Sequence, residues 1–265
     1  MQSFFQETNK PDHKINLAKA SLIYAKYQYP RLDIHDYLMT LDIIFQRIKD
    51  ELGKEVYPLK VIKTINKYLF KELGFKGNKD NYYDPDNSYL NQVIDKKIGI
   101  PITLSVIYLE IAKRLDFPMV GIGMPGHFLI RPEFENVGIF VDVFNQGEIL
   151  FKEDCELKLK EIYQQPITLE EHFLTPVSNQ QILGRMLTNL KYIYLNRQEY
   201  PKMLRIIELL LQLFPNHPLE IRDRGLLYYQ LRQWEKATTD LQLYLSILPT
   251  AEDAPTIRQI LQQMR

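Results

Sequence analysis

The residue types with chemistry to offer gather between positions 97 and 147 of this 265-residue chain. His127 heads the alternating stretch HFLIR, and Asp142 sits inside IFVDVF, with PEFENV between them. If residues 132–137 turn a hairpin, cross-strand partners have numbers summing to about 269. His127 then faces Asp142, with Cβ atoms about 4.5–5.5 Å apart. A one-residue slip would send the two to opposite faces. A histidine beside a carboxylate can handle a proton, or it can be a hydrogen-bonded structural pair. These two residues by themselves are compatible with either.

The elements that must hold the pair are legible on both sides. Pro101 opens a helix in which Leu104, Ile107, Tyr108, Ile111 and Leu115 recur at three- and four-residue intervals, marking a buried face. Strands are predicted at Val120 to Met124, His127 to Arg131 and Ile139 to Phe144. Pro125-Gly126 and Asn145-Gln146-Gly147 supply turns, and Ile149-Leu150-Phe151 continues beyond them.

Upstream, helices are predicted from Asp12 to Tyr29 before Pro30, from Asp33 to Gly53, and from Pro58 to Gly74. The cluster Asp80, Asp84, Asp86 and Asn87 has the oxygen donors of a calcium loop but not its spacing. A turn at Pro85 is the reading, followed by a short helix to Lys97 capped by Asn87 or Ser88. Residues 152–180 read as a linker with some helix.

Beyond about residue 182 only helical patterns remain. Tyr194 and Tyr228, Tyr200 and Trp234, Met203 and Ala237, and Pro215 and Pro249 each stand 34 residues apart, the tetratricopeptide period. Two repeats are predicted at 184–217 and 218–251, then a helix from Pro255 to Met264. Gly225 occupies the small-residue position in the second repeat, whereas Lys191 and Met203 replace small residues in the first. The expected domains are 1–180 and 181–265.

Thirty-three basic residues balance 33 acidic ones, so the electrostatic footprint of a nucleic-acid binder or an anionic-membrane binder is missing. No apolar run approaches the roughly 18–20 residues that span a bilayer, and the first residues do not read as a secretory signal. Cys155 is a lone cysteine. Together these predict a soluble, cytoplasmic protein. His13, His35, His127, His172 and His217 form no paired ligand motif, so no metal and no cofactor are expected.

LFKELGFKGN, NSYLNQVIDKKIGIPITLSVIYLEIAKRL, GMPGHFLIR and VDVFNQG together strongly resemble the bacterial SirB-like family, transglutaminase-core proteins with C-terminal tetratricopeptide repeats. The resemblance implies an α+β fold. Its parts are a helical lead-in, a papain- or transglutaminase-like core with a small antiparallel sheet, and an all-α repeat tail. In catalytic transglutaminase-like proteins a cysteine at the start of the core helix is the nucleophile, and histidine and aspartate follow on strands. By that motif His127 takes the histidine position and Asp142 the acid position, but the helix start, Gly99 to Ser105, has no cysteine.

Thr103 or Ser105 could replace the nucleophile only with a well-aligned base and an oxyanion hole, and both residue types more often satisfy backbone groups near a helix start. Cys155 follows the acid and reads as a buried small side chain. The expected function is a non-catalytic module that binds a protein or peptide partner. The alternative is a hydrolase or acyltransferase built on His127, Asp142 and a Thr103 or Ser105 hydroxyl.

Overall fold

The computed structural model describes residues 2–53, 57–134, 138–165 and 167–264. They form two compact units, residues 2–186 and 187–264. Among the described residues no helix is long and apolar enough to cross a membrane.

In the first unit the helical lead-in consists of α1 (Gln2–Thr8), α2 (Leu17–Gln28), α3 (Ile34–Leu52) and α4 (Pro58–Asn66). Helix α1 was not foreseen; it is short, but Phe4 on it is fully buried. Residues 12–14 form a separate 3-10 turn, and α2 starts only after Asn16, whose side chain accepts from the Lys19 N–H. Asp33 caps α3 in the same way through the His35 N–H. The helix expected to reach Gly74 relaxes after Asn66 into a wider π turn, Lys67–Glu72.

Strand β1 (Lys76–Gly77) pairs in parallel with β2 (Ile98–Gly99), flanking α5 (Leu90–Lys96). Neither Asn87 nor Ser88 caps α5. Both lie in a 3-10 turn, and the Asn87 amide is spent donating to the carbonyls of Asn81 and Tyr82. Within the aspartate cluster, Asp84 accepts from the Asp86 N–H, and Asp86 takes the Tyr29 hydroxyl and the Lys96 ammonium.

Helix α6 (Pro101–Arg114) is the centre of this unit. Every residue from Pro101 to Ala112 is buried, so the expected single apolar face is instead a full circumference. The reason is that helices α2, α3 and α5 pack against it along with strands β3 (Met119–Ile122) and β4 (Leu129–Pro132). Even Glu110 is buried there, accepting from the Ala18 N–H and pairing with Arg114 at 2.7 Å.

The five-stranded sheet is antiparallel throughout, in the order β6-β5-β4-β3-β7, with β5 at Phe140–Asp142, β6 at Glu148–Leu150 and β7 at Pro176–Val177. Helix α7 (Lys152–Tyr163) fills much of the stretch read as a linker, and its Cys155 and Leu159 join Ile122, Leu129 and Leu150 in one apolar cluster.

Helix α8 (Asn179–Asn196) opens with a reciprocal cap: Gln181 N–H donates to the Ser178 hydroxyl, and Ser178 N–H donates to the Gln181 side chain. It is followed by α9 (Tyr200–Leu213), α10 (Pro218–Gln230), α11 (Trp234–Ile247) and α12 (Ala254–Gln263).

The repeat in the second unit extends to single hydrogen bonds. Glu199 N–H donates to Tyr194 O and Gln233 N–H to Tyr228 O, while the preceding residues Gln198 and Arg232 both adopt left-handed backbone. Gly225 permits the close approach of α11, since a Cβ there would lie 2.8 Å from Leu241 Cδ2. At the matching position of the first repeat, Lys191 is buried, and its ammonium reaches Glu220 at 2.6 Å and Asp223 at 3.1 Å on α10. Burial opposes that charge, but the two acids outweigh it and raise the Lys191 pKa.

Candidate functional site

His127 lies just before β4, not in it, and Asp142 ends β5. The observed register pairs Ile130 with Val141, so partner numbers sum two higher than the loop estimate. Asp142 thus falls level with Leu129, and His127 is its diagonal neighbour. A shift by an even number preserves the face, so the two side chains still meet: Nε2 of His127 is 3.0 Å from Oδ2 of Asp142. Close as they are, the two atoms do not meet the geometry of a well-formed hydrogen bond.

Asp142 is fully buried and heavily solicited. One oxygen accepts from the N–H groups of Phe144 and Asn145, capping the 3-10 turn that follows β5; the other accepts from the Asn145 side-chain amide at 2.9 Å and faces the Lys158 ammonium at 2.8 Å. Burial by itself would raise this carboxyl's pKa. The His127 contact, then Lys158 and Asn145, more than offset it and hold the acid well below the usual carboxylate range. Lys158 is shifted upward, because Asp142 and the nearby Glu148 outweigh its own desolvation.

The histidine is itself enclosed, with 7% of its surface accessible. Its ring meets Phe144 edge-on at 6.2 Å, and Arg185 from α8 clamps its main chain by donating to His127 O at 2.7 Å. A cleft of about 340 Å³ opens over Phe144 and Asn145, and neither His127 nor Asp142 lines it.

The helix start offers no attacking group beside this pair. Thr103 Oγ1 donates to Asn87 O at 2.7 Å and accepts from the Ile100 N–H at 3.1 Å. Ser105 Oγ is buried without a hydrogen-bond partner. Both residues are inaccessible, and among the described residues no hydroxyl hydrogen-bonds the His127 ring. Cys155 is also inaccessible; burial, then the charge of Asp154, push its thiol up to about 12, far from the thiolate that nucleophilic use requires. Among the described residues no three His, Cys, Asp or Glu side chains are grouped to hold a metal ion.

The structure therefore brings His127 and Asp142 together and leaves Thr103 and Ser105 committed elsewhere or enclosed. Lys158, Asn145 and Arg185 escaped sequence reasoning. Asn145 had a local signal, an amide three residues beyond an acid at a turn; Lys158 and Arg185 had none.

The profile of the Transglutaminase-like superfamily matches residues 35–188, and that of the Tetratricopeptide repeat matches residues 190–262. The chain is 35% identical over 251 residues to the UPF0162 protein of Xylella fastidiosa (strain 9a5c), covering 93% of this chain and 89% of that one. It is 29% identical over 234 residues to Protein SirB1 of Salmonella typhimurium, covering 88% and 86% respectively. With F-box only protein 21 of Homo sapiens it shares 30% identity over 195 residues, 69% of this chain but 30% of the longer protein. No solved structure matches. The chain belongs to the transglutaminase-like superfamily, with a tetratricopeptide array at its C-terminal end.

Proposed function

We propose that the protein is a non-catalytic, cytoplasmic binding module whose partner is a protein or peptide. The observation that supports this reading is the enclosure of His127 and Asp142 without a nucleophile: the Thr103 hydroxyl is spent on the backbone and Ser105 is buried. A triad without its nucleophile loses most of its rate acceleration. In its place the acid organises structure, tying the turn after β5 to α7 through Lys158. The balanced charge supports a protein or peptide partner over nucleic acid or membrane.

Stacked tetratricopeptide helices present extended concave surfaces. Tyr192 and Leu195 on α8 and Leu219 on α10, all on the first helices of their repeats, leave large apolar side chains exposed. Two measurements test the reading. Wild type and His127→Ala should hydrolyse p-nitrophenyl esters at the same background rate, and neither should transfer a fluorescent amine to a glutamine peptide. Turnover that vanishes in the variant would restore the hydrolase or acyltransferase alternative. Crosslinking capture on the full chain should yield a defined protein or peptide set that Tyr192→Ala/Leu219→Glu loses; equal retention by both sinks the repeat-surface role.

A further inference from the structure

A second cleft of the first unit lies away from His127, along the edge of the sheet. It holds about 480 Å³ and is lined by Met119 and Val120 of β3, Val177 of β7, and an apolar wall that includes Ile15, Leu17 and Phe117.

Its main chain is incompletely paired. Glu133 N–H donates to Pro118 O, so position 118 faces β4; by the alternation of an antiparallel pair, the N–H and C=O of Met119 point the other way, toward β7. There β7 supplies partners only for Gly121 and Ile122. The residue that would continue the ladder past Val177 and meet Met119 is Asn179, and it has left to begin α8, with its N–H donating to Asp12. Among the described residues, then, one donor and one acceptor of a sheet edge look into a cleft with no strand beside them.

The cleft is also acidic. Asp12, Glu110, Asp116 and Glu133 line it against Lys113 and His13. Asp12 is occupied in capping α8 and Glu110 with Arg114, whereas Asp116 and Glu133 are exposed with no salt bridge among the described residues.

We propose that this cleft receives an extended peptide segment with a basic side chain. The segment adds as a short strand beside β3: its main chain exchanges hydrogen bonds with Met119, and its cationic side chain reaches Asp116 and Glu133. An extended backbone offers a donor and an acceptor at the spacing a sheet edge requires, and side chains on alternate positions reach pockets on either face. The site is independent of the repeats and of His127, so its failure leaves the reading above untouched.

The test uses the full chain and three capped, fluorescein-tagged pentapeptides: alternating valine with lysine, alternating valine with glutamate, and the lysine peptide N-methylated at its central valine. The lysine peptide should bind at least tenfold tighter than the glutamate peptide. N-methylation should abolish binding, and bound peptide should slow hydrogen exchange at the Met119 amide. Asp116→Asn/Glu133→Lys, both at exposed positions and with asparagine suited to the left-handed backbone of residue 116, should erase the preference for lysine. Absence of binding, equal binding of the lysine and glutamate peptides, or an unchanged Met119 exchange rate would each overturn the proposal.

Discussion

Asp142 shows how a residue in an acid position can serve structure. Its carboxylate receives two backbone N–H groups, an amide, an ammonium and the imidazole contact, and its folded pKa is accordingly depressed. The sign of the linkage follows. A depressed carboxyl contributes stability that is fully present above its unfolded pKa of about 3.9 and is lost as pH falls through the lower folded value. Urea midpoints of the wild type should therefore fall steeply below about pH 4. Asp142→Asn should cost about 3 kcal/mol at neutral pH, because it leaves Lys158 with no fully buried counter-charge, and should flatten that acid limb. A variant whose midpoint tracks the wild type from neutral to acid pH would refute the assignment. Cys155 permits a simpler check. With its thiol pushed up to about 12 and sealed in the apolar cluster, it should resist a disulfide-exchange dye in the native state and react fully in denaturant. Rapid native labelling would contradict its placement.

At the scale of elements, the start of α6 and the contact of α10 with α11 depend on single groups. Thr103→Val keeps the shape but leaves the Ile100 N–H and the Asn87 carbonyl without their side-chain partner, for an expected loss of about 1–3 kcal/mol. Thr103→Ser should recover most of it, measured by denaturant midpoint; equal losses in the two variants would mean packing, not the hydroxyl, matters. Gly225→Ala should cost about 1–3 kcal/mol by forcing Leu241 and Asp240 away from α10. At the corresponding place in the first repeat stands Lys191, buried, with its ammonium on Glu220 and Asp223.

For the whole molecule, the division at residues 186 and 187 falls inside helix α8 and not at its start. Hydrogen exchange on Gly225→Ala gives this division an energetic meaning. We expect faster exchange through residues 187–265, while the amides of α6 keep wild-type protection; uniform loss across the chain would show one cooperative unit. Neither of the two proposed recognition surfaces, the exposed apolar residues of the repeats and the acidic sheet edge, includes the His127 and Asp142 pair.

What the sequence determined by itself is what depends on neighbours along the chain. Asn16 and Asp33 side chains and the prolines at 58 and 101 mark helix starts through contacts within one turn, although the helix expected from Asp12 starts only after Asn16. The 34-residue period was visible because each repeat reuses the same local packing. The absence of cysteine at the start of α6 could likewise be read directly. The tertiary structure decided the rest. A hairpin register cannot be counted from its loop, since strands choose partners by the faces they bury, and here the choice moved by two residues. Nothing in KEDCELKLKEIY says which lysine will meet Asp142, and nothing near Met119 says its neighbour strand will end early; both follow from where α7 and α8 pack. The closed setting of His127 has the same origin: Phe144, Arg185 and Lys158 come from three separate elements, and only folding brings them around one pair.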